Sequence, residues 1–163
     1  MSSIFTSIID EKPEIIDAVA PAISGMDTAL VKPGKLIAAL TYLNKEKHFT
    51  FLKDMNAIDH GTSSEKRFSI YYILSDLEKN VSVCIKTAVH DNERVPSITD
   101  LWAGANWQER QIFDLFGIPF EGHPNLSRII MMDGFEGHPM RKDFPITGGN
   151  GPDLIKDILL PRG

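Results

Sequence analysis

The residues best able to do chemistry lie between Phe120 and Pro145, in "FEGHPNLSRIIMMDGFEGHPMRKDFP". Glu-Gly-His-Pro occurs there twice, Glu121 to Pro124 and Glu136 to Pro139, and places His123 and His138 15 positions apart. Two imidazoles could ligate a metal, shuttle protons or fix the shape of a loop. Zinc sites recruit ligands in local pairs at separations of about two to five residues. Neither histidine has such a partner, so Glu121 and Glu136 would have to complete a His2Glu2 set. For acid–base work, His138 stands near Asp133, Arg141 and Asp143. A catalytic pair also needs a pocket and a nucleophile or cofactor. The chain carries no Gly-x-Ser-x-Gly, Walker or dinucleotide motif. The "GGNG" at Gly148 to Gly151 follows no strong strand and opens no helix, which argues against a phosphate loop. The structural reading uses all three residue types of Gly-His-Pro. Proline biases the preceding histidine toward extended backbone, glycine permits a positive φ and close approach, and the imidazole then pins neighbouring carbonyls or carboxylates. Two such corners would bracket a strand, "RIIMM".

The elements that must position these corners are legible upstream. "IFTSIID" and "EKPEIIDAVAP" read as weak helical pieces broken at Pro13 and Pro21, and "DTALVK" as a short strand. "KPGKLIAALTYLNKEK" predicts a helix, with Leu36, Leu40 and Leu43 on one face and Pro33 in its first turn. "HFTFLKDMNAID" reads as an edge or bent strand. "RFSIYYILSD" and "NVSVCIKTAVH" predict an antiparallel hairpin across "SDLEKN". Asn106 with Glu109 matches a capping box opening a helix from Trp107 to Phe116, and Ser97 with Asp100 is a second start signal. Gly117 and Pro119 mark the stop. From Gly117 to Gly163 there are 8 glycines and 6 prolines, yet Phe120, Ile129, Ile130, Met131, Phe135 and Phe144 are too many large apolar groups for an idle linker. That segment must fold back on the domain or pack on another protein. The expected fold is α+β: a small, mostly antiparallel sheet packed by two or more helices over residues 1–118, followed by an extended Gly/Pro-rich arm over 119–163.

Composition narrows the classes. The chain has 163 residues, 42% hydrophobic and 24% charged, at a net charge of −5, which suits one soluble domain. Its basic residues are scattered, so a nucleic-acid surface is not expected. One cysteine, Cys84, can form neither an internal disulfide nor a cysteine-rich metal site, and this fits a reducing, cytosolic setting. Charge-free runs reach about nine residues, against roughly 18–20 for a membrane span.

The run "LWAGANWQERQIFDLFGIPFEGHPNLSRIIMMDGFEGHPMRKDFP" resembles the C-type subunit of the proton-pumping NADH:quinone oxidoreductase, respiratory complex I. The family pattern joins a Glu-Arg-Glu helix to Asp-x-Phe-Gly-Ile, Gly-His-Pro, Leu-Arg-Arg-Ile and a closing Gly-His-Pro-Leu-Arg-Lys-Asp-Phe-Pro. Gln111 and Ser127 depart from it, each losing a charge. The resemblance covers roughly residues 28–146. It implies an accessory subunit of the hydrophilic arm, at the cytoplasmic face of the membrane and docked on a D-type subunit. NADH, FMN, iron–sulfur clusters and quinone would be bound by the parent complex and not by this chain. The implied contact or structural residues are Glu109, Arg110, Asp114, His123, Arg128, His138, Arg141, Lys142 and Asp143. A homologous subunit of a membrane-bound hydrogenase or a ferredoxin- or F420-linked oxidoreductase, and a free-standing metalloenzyme using His123 and His138, are the alternatives.

Overall fold

The computed structural model describes residues 4–145. Helix α1, Ile4–Glu11, ends where Pro13 removes an amide donor. The chain then forms strand β1, Ala18–Ile23, and not the second helical piece expected around Pro21. The missed signal is Ser24-Gly25. Both residues have positive φ, 51° and 77°, and Ile23 pairs with Met26, which describes a two-residue hairpin turn into β2, Met26–Leu30. Pro21 is tolerated because β1 lies at the sheet edge. A single 3-10 turn, Pro33–Lys35, leads into α2, Leu36–Lys45, whose buried face holds Leu36, Leu40 and Leu43.

Three long strands follow: β3, Phe51–Asp59; β4, Phe68–Asp76; and β5, Val81–Val89. They form an antiparallel meander. The β4–β5 hairpin runs in unbroken register from Phe68↔Val89 to Asp76↔Val81, as the alternation predicts. Strand β3 is at the far edge and carries a bulge between Leu52 and Asp54. The β2–β5 pair is parallel, so the five-stranded sheet, in order β1-β2-β5-β4-β3, is mixed but mostly antiparallel. Strand β6, Val95–Pro96, pairs in parallel with β7, Phe120–Glu121, and α3, Ala105–Phe116, lies between them in sequence.

Alternate strand residues and the apolar faces of the helices make one core. Phe5 and Ile8 from α1, Leu40 and Leu43 from α2, and Ile112 and Phe116 from α3 join Met55, Ile70, Tyr72, Leu74, Val83 and Ile85. The opposite side of the sheet is open, with a shallow hollow of about 300 Å³ lined by Ile23, Met26, Asn56, Ile58, Tyr71 and Cys84.

Candidate functional site

Helix α3 organises the polar residues. Its start is not the capping box: the residue before the first helical position is Gly104, and no side chain caps it. Glu109 is instead fully buried and reaches backwards. Its Oε1 accepts the Ile98 amide (2.7 Å) and its Oε2 the Ser97 hydroxyl (2.7 Å), so it fixes the chain between β6 and α3. The expected helix start at Ser97 is thereby a loop held by Glu109. Burial pushes the Glu109 carboxyl up to about 7, and the two donors only partly offset it.

Asp114, also fully buried, shows the opposite balance. Its Oδ2 accepts three consecutive amides, Ile129 (3.0 Å), Ile130 (2.7 Å) and Met131 (2.9 Å), while Arg128 reaches Oδ1 (3.1 Å). Successive N–H groups converging on one anion form a nest. Burial raises the Asp114 carboxyl, but the three amides and Arg128 outweigh it and hold the group below its ordinary value. This contact also explains why "RIIMM" is not a strand: its amides are spent on a side chain and leave no ladder to pair.

The end of α3 is closed by the rest of the chain. A helix leaves its last four carbonyls unsatisfied, and here each has a donor. Phe113 O accepts the Gly117 amide (2.8 Å), Asp114 O accepts His138 Nδ1–H (2.9 Å), Leu115 O accepts the Met140 amide (3.0 Å) and Phe116 O accepts Arg141 Nε–H (2.6 Å). Gly117 is the left-handed stop the sequence predicts, at φ 72°. It must be glycine for a second reason, because a Cβ there would stand 2.5 Å from the His138 ring. Burial pushes the His138 imidazole below its ordinary value, and nearby Arg128 and Arg141 add to this.

The first corner serves the other end of the helix. His123 Nδ1 accepts the Asn125 amide (3.0 Å), which leaves Nε2–H to donate to the Asn106 carbonyl (3.2 Å). The two Gly-His-Pro corners therefore grip α3 near its two ends. Arg110, one residue beyond Glu109, turns outward; it donates to the Ser127 carbonyl (3.0 Å) and hydroxyl (2.7 Å) and stacks 5.0 Å from the ring centre of Trp107.

A second polar cluster went unread in the sequence. Arg67 is 4% exposed and pairs with Asp59 through two nitrogens (3.0 and 3.2 Å), with Asp91 (2.8 Å) and with Asp143. Arg141 joins through Asp91 (3.2 Å), and the Lys142 and Gly61 amides both donate to Asp59 (2.8 Å each). Burial pushes Asp59 up, but Arg67 and these amides win and bring it down to about 2. Register was the available signal. Asp59 ends β3 opposite Phe68, and Phe68 faces Val89 of β5, so Asp59, Arg67 and Asp91 must meet at one end of the meander.

These placements account for all nine residues. Glu109, Asp114, His123, Arg128, His138 and Arg141 bind α3 or the loops around it, Arg110 holds Ser127, and Lys142 and Asp143 join the Arg67 cluster. Among the described residues, no group of three or more His, Cys, Asp or Glu is arranged to hold a metal ion. Iron–sulfur clusters are held by sets of cysteine thiolates; the sequence has one cysteine, Cys84, buried on β5 and pushed up by that burial. Among the described residues, no helix is long and apolar enough to cross a membrane.

Comparison with known proteins agrees with the motif resemblance. The family described as "Respiratory-chain NADH dehydrogenase, 30 Kd subunit" matches residues 29–150. The C-type subunit of NADH-quinone oxidoreductase from Agrobacterium fabrum is 46% identical over 132 residues, which cover 78% of this chain and 66% of that protein. The fused C/D-type subunit of NADH-quinone oxidoreductase from Pseudomonas fluorescens is 40% identical over 131 residues, 75% of this chain and 22% of that protein. The chain thus spans about two thirds of the first relative and less than a quarter of the second. Among solved structures, a chain of the membrane-bound sulfane sulfur reductase, an archaeal respiratory membrane complex, is similar with a TM-score of 0.70, covering 88% of this chain and 84% of that one. At 23% identity that likeness is one of fold. The match over residues 29–150 and the identity to both relatives give one answer: this chain belongs to the family of the 30 kDa subunit of respiratory-chain NADH dehydrogenase.

Proposed function

We propose that the chain is an accessory subunit of the hydrophilic arm of an NADH:quinone oxidoreductase, docked on a D-type partner and supporting assembly of the quinone-reducing module. NADH, FMN, iron–sulfur clusters and quinone are then bound by other subunits, and the chain meets the membrane only through the complex, at its cytoplasmic face. The observation that carries this is the fused C/D-type relative, where a segment 40% identical to this chain makes up 22% of one longer polypeptide. A C-type subunit that stands separately in one organism and is joined to a D-type portion in another supports a D-type partner for this chain.

The polar geometry supports a supporting role. The acidic and basic groups on the buried side of α3 are taken up by the chain's own loops, while Trp107 stays 62% exposed with Arg110 stacked on it. Tryptophan and arginine are among the residue types most enriched in interface hot spots. Residues 119–163 are the proposed docking segment; its described part also turns Ile130, Met132 and Met140 outward.

The test is recovery of the tagged chain from membranes in mild detergent, with mass spectrometry of the partners. A D-type subunit and NADH-oxidising subunits are expected. A Trp107→Ala variant should lose them while its thermal unfolding stays close to that of the parent, because Trp107 is 62% exposed. Recovery of the chain alone would refute the reading. Recovery with a complex lacking NADH-oxidising subunits would instead support a hydrogenase-type or ferredoxin- or F420-linked parent, and stoichiometric zinc or iron lost on His138→Ala would reinstate the metalloenzyme.

A further inference from the structure

Among the described residues, Glu109 is the buried acid without a lysine or arginine partner. Asp59 has Arg67 and Asp114 has Arg128. Among the described residues the one basic group within 4.0 Å of the Glu109 carboxyl is His123, whose Nε2 is 4.0 Å from Oε2, both side chains being fully buried. His123 Nδ1 accepts the Asn125 amide, which points its Nε2 toward the Asn106 carbonyl and the Glu109 carboxyl. From β4, Tyr72 adds a fully buried hydroxyl without a hydrogen-bond partner, whose ionisation is pushed far up by burial and then by the charge of Glu109. From the loop after β6 come only the Ser97 hydroxyl and the Ile98 amide. On α3 itself, Arg110 is turned away toward Ser127 and Trp107.

We propose that Glu109 is a buried proton-binding site, and that its proton holds the first Gly-His-Pro corner against α3. With the proton bound, a neutral carboxyl sits beside the imidazole, and no charge is buried unpaired. When the proton leaves to solvent, the carboxylate is a buried charge with no cationic partner, and it is stabilised only if water reaches it. The first corner packs against that carboxyl through His123, so residues 122–125 loosen from the Asn106 carbonyl and the Asn125 bond to His123 opens with them.

The direction in pH follows from linkage. The Glu109 carboxyl stands at about 7 in the fold against an ordinary 4.5. Its contribution is fully present below 4.5 and is lost as pH rises through 7. Between those limits the folding constant should fall on the order of a hundredfold from this group alone. His138 acts in the opposite sense over part of this window, so the informative quantity is the difference between the parent chain and Glu109→Gln. The amide of that variant can still accept from Ile98 and donate to Ser97.

The experiment uses the full chain labelled with carboxyl-13C glutamate, with the Glu109 resonance assigned by its absence in Glu109→Gln. A midpoint above about 6 is expected, together with Asn125 amide exchange that rises between about pH 5.5 and 8 more steeply in the parent than in the variant. A midpoint near 4.5, or equal exchange profiles, would overturn the proposal. If Glu109→Gln does not fold, the resonance is assigned by its proximity to Ile98 and the parent's own midpoint decides.

Discussion

Replacing Asp114 with alanine should be the most damaging single change in the α3 region. It removes the acceptor of three consecutive amides, at 3.0, 2.7 and 2.9 Å, and the partner of Arg128 at 3.1 Å. Hydrogen bonds to a charged group contribute about 1.5–3 kcal/mol each, but bonds sharing one oxygen do not add. Breaking a buried charged set by removing one member costs about 3–5 kcal/mol. Arg128 is 28% exposed and can turn to water, which favours the lower half of that range. For a domain of this size, about 3–5 kcal/mol corresponds to a fall in melting temperature of roughly 6–20 °C. Asp114→Asn keeps one acceptor and loses the charge, and should cost about 1–2 kcal/mol. Because the Asp114 carboxyl is held below 3.8, its contribution is complete above that value and is lost as pH falls through the folded-state value. The assay is urea unfolding followed by circular dichroism at about pH 7 and about pH 3, with hydrogen exchange at Ile129, Ile130 and Met131 as the local readout. A loss under about 1 kcal/mol for the alanine variant, or one undiminished at acid pH, would refute the claim that the carboxylate organises this loop.

Three further outcomes follow from the same geometry. Gly117→Ala adds a Cβ at φ 72° and 2.5 Å from the His138 ring, and should cost about 2–4 kcal/mol in urea unfolding by displacing the second corner. Arg67→Met strands the buried Asp59 and should cost about 3–5 kcal/mol at neutral pH; since Asp59 is brought down to about 2, that deficit should shrink as pH falls below 3.8, which acid titration of the two unfolding curves checks. Arg141→Ala opens the Phe116 carbonyl and the Asp91 carboxylate and should cost about 1–3 kcal/mol, so thermal unfolding of the isolated chain should shift down before any partner is added.

Much of the scaffold is legible because its signals are local. The alternation of Val81, Val83 and Ile85 gives β5, Leu36, Leu40 and Leu43 give α2, and Gly117 before Pro119 gives the stop of α3. What escaped local reading is set by distant partners. Glu109 three positions after Asn106 looks like a capping box, and nothing nearby says that Ser97 and Ile98 claim it. "RIIMM" has the composition of a strand, but Asp114 takes its amides. Arg67 reads as one of several scattered cations until the register of three strands puts Asp59 and Asp91 beside it and the C-terminal segment adds Asp143. The β1–β2 hairpin is a different case, since Ser-Gly between two short apolar runs is a local signal that Pro21 obscures.

The Asp59 carboxylate joins positions 59, 61, 67 and 142, and the last of these is 83 residues away along the chain. Contacts so distant in sequence form late, because loop closure must precede them. During synthesis the β3–β5 meander can assemble well before residues 138–143 exist, with Arg67 holding two of its three carboxylates, Asp59 and Asp91. Completion of the polar cluster therefore marks the moment at which the C-terminal segment has arrived, and a chain interrupted before Asp143 would carry a finished sheet around an unfinished ion cluster.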